Sequence, residues 1–421
     1  MEKNLNEKIC IVGGGPAGLS AGMYLEKKGY KNYTILEKED VVGGKCFSPE
    51  YKGKRYEMGA IMGVPCYYAV QDVMDFCGIT PDGPRLDRQF RTKEGKLYNP
   101  FTLFKGLKLK SKVKKLGNLL ETKYKGYDKN GHLGTHPDMM MPFHDFCVMN
   151  GVEEIEAIWM NPGTAFGYGF FDEIPAAYML KYLDMPTAIA FVQKRLWTWK
   201  DGTQSIWEKL NAKLAHPAVM NTNITKVTRT NGKVQVTTDK GTEEYDKIII
   251  TSPLQYMDKY FDATEEEKKY FSKIIYEDYK VFAYTVKKYP EISCYVPDNM
   301  VPSRLGHLMV YYERWDNCPD QIITAYCLGN HSNGTQLTTD QCRDLVTQDM
   351  KTLGVEPDQV VYERSWYYFP HLSCENYKSG WYEDVESWQG NRNTYYAGEV
   401  MSFGDMDETA QYSKELVERF F

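Results

Sequence analysis

Residues 9–40 read ICIVGGGPAGLSAGMYLEKKGYKNYTILEKED. Ile9 to Val12 is a short apolar run that meets Gly13, and Pro16 to Lys28 carries apolar residues at helical spacing. A second apolar run, Tyr33 to Leu36, ends on Glu37. Strand, tight turn, helix and strand in this order predict a βαβ unit. Gly13, Gly15 and Gly18 fit G-x-G-x-x-G: the first permits the turn, the second lets backbone approach a pyrophosphate, and the third allows close helix-to-strand packing. The helix start, at Pro16 and Ala17, supplies unpaired N–H groups and a positive dipole end. Glu37 lies 19 residues past Gly18, placed to accept hydrogen bonds from a ribose diol and to repel a 2′-phosphate.

Two further stretches favour FAD over NAD. VVGGKCFS sets a second glycine pair, Gly43 and Gly44, just beyond the ribose acid, and RYEMGAIMG follows with Gly59 and Ala60, small enough to let backbone approach a flat ring. Near the end, YYAGEVMSFGDMDE puts Glu399 after a strand and a helix start near Asp405, suited to a ribityl chain and the polar edge of a flavin. The expected cofactor residues are Gly13, Gly15, Ala17, Gly18, Glu37, Lys38, Gly44, Lys45, Gly59, Ala60, Ile61, Met62, Val227, Glu399 and Met406. No cysteine, histidine or tyrosine falls in a pattern for a flavin link, so the FAD is expected to be non-covalent.

The other counts bound the function. A 421-residue chain is long enough for two or three domains and a buried cofactor. A net charge of -6 argues against nucleic acid as partner. Ten scattered cysteines without a CxxC pair point to a reduced, cytoplasmic protein. The seven histidines make no HxxxH or HExxH pattern, so no metal site is expected. No apolar run of 18 residues occurs, and the first residues are polar, which speaks against spanning or secretion.

Along the chain the character changes at 101–126, where eight lysines meet a single acid, Glu121. Leu109, Val113, Leu116 and Leu120 form one apolar stripe on this basic helix. It reads either as a solvated helix packed on the body or as a surface for anionic lipid through Lys105, Lys108, Lys112 and Lys115, a peripheral membrane contact. The stretch to about Arg195 is expected to be mostly helical. Residues 223–254 then alternate, with turns at Asn231-Gly232 and Lys240-Gly241, as three short strands. Tyr279 to Val286, His307 to Tyr312 and Gln321 to Leu328 are expected strands of a second sheet. The expected fold class is α/β, a Rossmann-like FAD-binding domain with a helical cap and a mixed α+β substrate domain; the pairing of N- and C-terminal cofactor motifs resembles the glutathione-reductase-like FAD fold of amine oxidase type. The expected division is a discontinuous FAD domain over 1–87, 201–255 and 385–421, a cap over 88–200, and a mixed-sheet domain over 256–384.

The run GGKCFSPEYKGKRYEMGAIMGVP, with TAFGYG, IPAAYMLKYLD, LWTWKDGTQ, YVPDNM, RLGHLMVYYERW, SWYYFPH and AGEVMSFG, resembles the bacterial FAD-dependent polyunsaturated fatty acid (linoleate) isomerases of the amine oxidase superfamily. The lysine-rich part of 101–115 lies outside the resemblance. The resemblance implies that Arg88 meets the carboxylate of a free fatty acid, that Phe191 fixes the chain beside it, and that Phe166 sits near the flavin as a stabiliser of positive charge. It also implies the reaction: hydride leaves the bis-allylic carbon for flavin N5 and returns to another carbon, giving a conjugated product without net redox change. Two other readings stay open at this point, an amine or carotenoid-type oxidase on the same fold and a non-catalytic flavin-containing lipid carrier.

Overall fold

The computed structural model describes residues 4–99, 103–127, 131–290, 292–315 and 321–421; the side chain of Lys105 and all of Cys318 lie outside the described residues. Four parallel strands form one sheet in the order Thr394–Tyr396, Lys247–Ile250, Ile9–Val12, Tyr33–Leu36. Ile9, Cys10 and Ile11 are fully buried, as are Ile248, Ile249 and Ile250, because helices cover the sheet and leave no strand face for water. The helix Pro16–Lys27 connects the two N-terminal strands, and the closing helix Met406–Phe420 packs along it. Chain segments almost 400 residues apart therefore build one layer.

The alternating stretch folds as Ile224–Thr230, Lys233–Thr238 and Gly241–Tyr245, an antiparallel sheet with the expected turns; a fourth strand, Lys247–Ile250, leaves it to join the parallel sheet. Buried Arg229 fixes the three-stranded sheet to the helix Glu265–Phe271, its guanidinium donating to Asp262 and, as a fork, to both oxygens of Glu267 at 2.7 and 2.8 Å.

The second large sheet is mixed, with seven strands in the order Pro357–His371, Ile275–Val286, Ile323–Leu328, Val310–Glu313, Ser293–Tyr295, Arg88–Arg91, Leu97–Tyr98. The last pair, Arg88–Arg91 and Leu97–Tyr98, adds two strands at the start of the mostly helical stretch 88–200. Arg88–Arg91 runs parallel to Ser293–Tyr295, one strand in from the edge strand Leu97–Tyr98. The polar run RQFR gives no apolar alternation to announce a strand. Beyond it the chain is helical, with Leu103–Glu121, Phe143–Asn150, Ala176–Tyr182 and Met185–Val192 among its helices. Among the described residues no helix is long and apolar enough to cross a membrane.

On the basic helix Leu116 and Leu120 are buried and Leu109 and Val113 half-buried, as the stripe predicts. Its lysines are partly engaged: Lys108 and Lys112 pair with Glu154 at 2.6 and 3.5 Å, and Lys112 and Lys115 reach the carbonyl of Gly151.

Candidate functional site

A cavity of about 670 Å³ runs from the ends of the parallel strands to one face of the seven-stranded sheet. At its first end Glu37 is buried at the close of its strand; one carboxylate oxygen accepts from the Gly14 N–H at 2.7 Å and the other from the Glu39 N–H at 2.9 Å. The acid thus ties down the glycine turn and keeps lone pairs for a ligand hydroxyl. Lys38 lines the same end and pairs with Glu39.

The residues fit a dinucleotide, as the backbone itself shows. A Cβ on Gly18 would lie 1.9 Å from the carbonyl oxygen of Gly13, and one on Gly59 would lie 1.9 Å from that of Lys45. Only glycine allows these two close passes beside the cavity. The helix Pro16–Lys27 has no side-chain N-cap and no acid in its first turn, so its N-terminal N–H groups are left for an anionic ligand. Gly13, Gly15 and Ala17 line the cavity here, while Gly18 does its work by packing. Gly44 and Lys45 follow, then Gly59, Ala60, Ile61 and Met62 along the next section of wall. Lys45 and Glu399 form an ion pair across 354 residues of sequence, both facing the cavity, and Met406 begins the closing helix beside them.

Val227 does not join this set. It is wholly buried, and its backbone N–H and carbonyl are used by Tyr260 and Asp262. Asn223 and Ile224, three to four residues earlier, line the cavity instead. A register irregularity between Ile224 and Lys226 separates these residues from Val227 along the strand.

The far end is aromatic. Phe166 and Phe191 line it, their ring centroids 6.0 Å apart and nearly perpendicular. Arg88 stands behind Phe191, outside the cavity wall, and donates from Nη2 to the Phe191 carbonyl at 2.8 Å. This brings the three residues carried over by resemblance into one constellation, assembled from the start of the strand Arg88–Arg91, the turn Thr164–Phe166 and the end of helix Met185–Val192. Among the described residues no carboxylate pairs with the Arg88 guanidinium.

Sequence reasoning missed the tyrosines. Tyr168, Tyr182, Tyr279 and Tyr368 wall the cavity, and the Tyr279 hydroxyl donates to the Ala165 carbonyl at 2.8 Å, fixing the turn that carries Phe166. Burial pushes the hydroxyls of Tyr168, Tyr182 and Tyr279 well above their usual range, so they stay neutral. Asp405 is a second omission. One of its oxygens caps the closing helix through the N–H groups of Asp407 and Glu408, while the other has no hydrogen-bond partner. Burial first, and the neighbouring Glu408 charge second, push its carboxyl up to about 7. The only sequence signal was its position as a helix start.

Nucleotide cradle, second glycine turn and returning C-terminal segment define an FAD-binding flavoprotein, and the chain belongs to the flavin containing amine oxidoreductase family, whose model matches residues 16–409. FAD is its cofactor. The chain is 53% identical to the CLA-producing fatty acid isomerase from P. acnes, with a TM-score of 0.98 and all of both chains covered. It is 26% identical over 289 residues to the polyenoic fatty acid isomerase of Ptilota filicina, a match spanning 60% of this chain and 57% of that protein. Putrescine oxidase bound to putrescine superposes with a TM-score of 0.72 at 12% identity over 98% of each chain, a likeness of fold alone.

Proposed function

We propose that this chain is an FAD-dependent isomerase of polyunsaturated fatty acids, converting linoleate to a conjugated isomer. The observation that carries the reading is the Arg88–Phe191–Phe166 constellation at the aromatic end of the cofactor cavity. Bound FAD supplies a carrier that removes hydride from the methylene between two double bonds and gives it back to a different carbon.

The chain's own residues have a positioning task. The Arg88 fork has donors beyond the one engaged by Phe191, and these suit a bidentate carboxylate. Fixing the carboxylate sets how far the hydrocarbon reaches along the cavity and hence which carbon reacts. Phe166 presents an aromatic face to passing positive charge, worth roughly 0.5–2 kcal/mol. The neutral tyrosines and Phe191 keep water out without adding a charge of their own. No side-chain acid or base is asked to move a proton.

The same reading takes the FAD as non-covalent, so acid precipitation should release it into the supernatant. The FAD-binding unit is discontinuous (1–87, 201–255, 385–421), with a cap at 88–200 and a substrate sheet at 256–384. The enzyme is cytoplasmic and touches anionic membranes, where free fatty acids partition, through the lysines of the helix Leu103–Glu121. Because Lys108 and Lys112 are engaged by Glu154, the exposed Lys110 and Lys114, with Leu107, supply much of that contact. Equal sedimentation with anionic and neutral vesicles at low salt would remove this part.

The decisive test is purified yellow protein mixed with linoleate, with and without oxygen. Conjugated-diene absorbance without oxygen consumption is expected. Peroxide formation would select an oxidase, and binding with neither product would select a lipid carrier.

A further inference from the structure

The strand Pro357–His371 carries an irregularity that the site so far leaves unexplained. Ile275 pairs with His371 and Glu277 with Tyr368, so three steps on one strand meet two on its partner, a β-bulge at Phe369 and Pro370. Phe369 takes φ +46°, in the left-handed region. Of seven non-glycine residues with positive φ among those described, six are asparagine, lysine or arginine, and Phe369 is the one buried aromatic. Such a conformation is a genuine outlier for a bulky side chain, held only where surroundings over-determine it.

Those surroundings can be named. The Phe369 ring stacks on His371 at 4.7 Å and meets Tyr168 and Tyr178 of the cap at 5.3 and 5.4 Å and Phe403 of the C-terminal segment at 5.0 Å. Its ring edge also leaves no slack for a Cβ on Gly404. Its carbonyl accepts from Nδ1 of His371 at 2.7 Å, and burial pulls that imidazole down to about 4, so it is a neutral donor with its proton on Nδ1. The residues on either side, Tyr368 and Pro370, both line the cavity, and the Tyr368 ring lies under the Lys45 ammonium at 5.2 Å.

We propose that Phe369 is a positioning residue: its ring, clamped between cap and C-terminal segment, holds the bulge that fixes Tyr368 and Pro370 as the cavity wall where cofactor and substrate meet. What lies against that wall rests on the FAD-dependent isomerase reading; the wall itself does not. Glycine adopts this φ freely, so Phe369→Gly keeps the backbone and removes the clamp. The variant should bind one FAD per chain yet show an altered visible circular dichroism band of the flavin. Its kcat should fall between about ten- and a hundredfold with KM moving far less. Phe369→Leu should recover most of both signals. Should Phe369→Gly fail to fold, His371→Gln is compared with the wild type instead, with a smaller change of the same kind expected. An unchanged flavin band and kcat in soluble, FAD-loaded Phe369→Gly, or in His371→Gln standing in for it, would overturn the proposal. If wild type made no diene, the isomerase reading would fall while the flavin band still judged the wall.

Discussion

On the proposed reading Glu37 and Arg88 divide the labour of the site, Glu37 at the glycine turn and Arg88 behind Phe191 beyond the aromatic end. Glu37→Ala removes an acceptor that serves both the glycine turn and the ribose, so FAD affinity should fall by about 1.5–3 kcal/mol, roughly ten- to a hundredfold, in a fluorescence titration of apoprotein. Arg88→Ala should arrive yellow and fully loaded, and a colourless preparation would show that the two roles are not separate. Asp405 makes a pH prediction. Its carboxyl is raised from its usual 3.8 to about 7, so the folded chain binds more protons than the unfolded chain in that window. Stability from this group is therefore lost as pH rises from about 4 through about 7. Asp405→Asn keeps a good helix cap and should flatten the fall in Tm between pH 5 and 8. At this scale the sequence was legible wherever a residue type follows from local geometry, as at Gly18 and Glu37. It was not legible at Phe369, because no composition rule announces a phenylalanine in a glycine conformation.

Elements show the same division. The βαβ unit and the basic helix could be read because helical and strand periods are local properties of the chain. The strand Arg88–Arg91 could not, since its place depends on a partner about 200 residues away. The tyrosine wall escaped for a related reason: Tyr279 and Tyr368 come from neighbouring strands, and their shared face follows from pairing register rather than from either segment alone. The Arg229–Glu267 contact between sheet and helix gives a prediction about elements. Burial alone would raise Glu267, but the hydrogen bonds from Arg229 and Tyr396 outweigh it and hold the carboxyl down to about 2, against its usual 4.5. The folded-state value is depressed, so the contribution is fully present above the ordinary glutamate range and is lost as pH falls toward about 2. Glu267→Gln should unfold at lower temperature than wild type at pH 7, with the difference narrowing by pH 3. A constant difference across that range in calorimetry would place the stabilisation elsewhere.

Across the whole molecule, three distant segments make the cofactor layer, and one sheet carries Arg88, the proposed carboxylate anchor, near one end and the wall residues Tyr279 and Tyr368 on the two strands at its other end. On the proposed reading, the chain holds a long substrate by its end while its middle lies among the aromatic residues of the cavity. Return of the hydride to the substrate, with no oxygen consumed, separates this reading from every oxygen-using oxidase on the fold. Arg88→Lys should keep the charge and lose the fork, so the rate should fall by more than the affinity while the product retains its label pattern. The most direct measurement is mass spectrometry of product formed without oxygen, in ordinary water, from linoleate carrying two deuterium atoms on the methylene between its double bonds. A side-chain acid or base would share its proton with solvent. The account predicts conjugated product that keeps both deuterium atoms, one of them on a new carbon; complete loss of one deuterium to water, or product that forms only when oxygen is present, would contradict it.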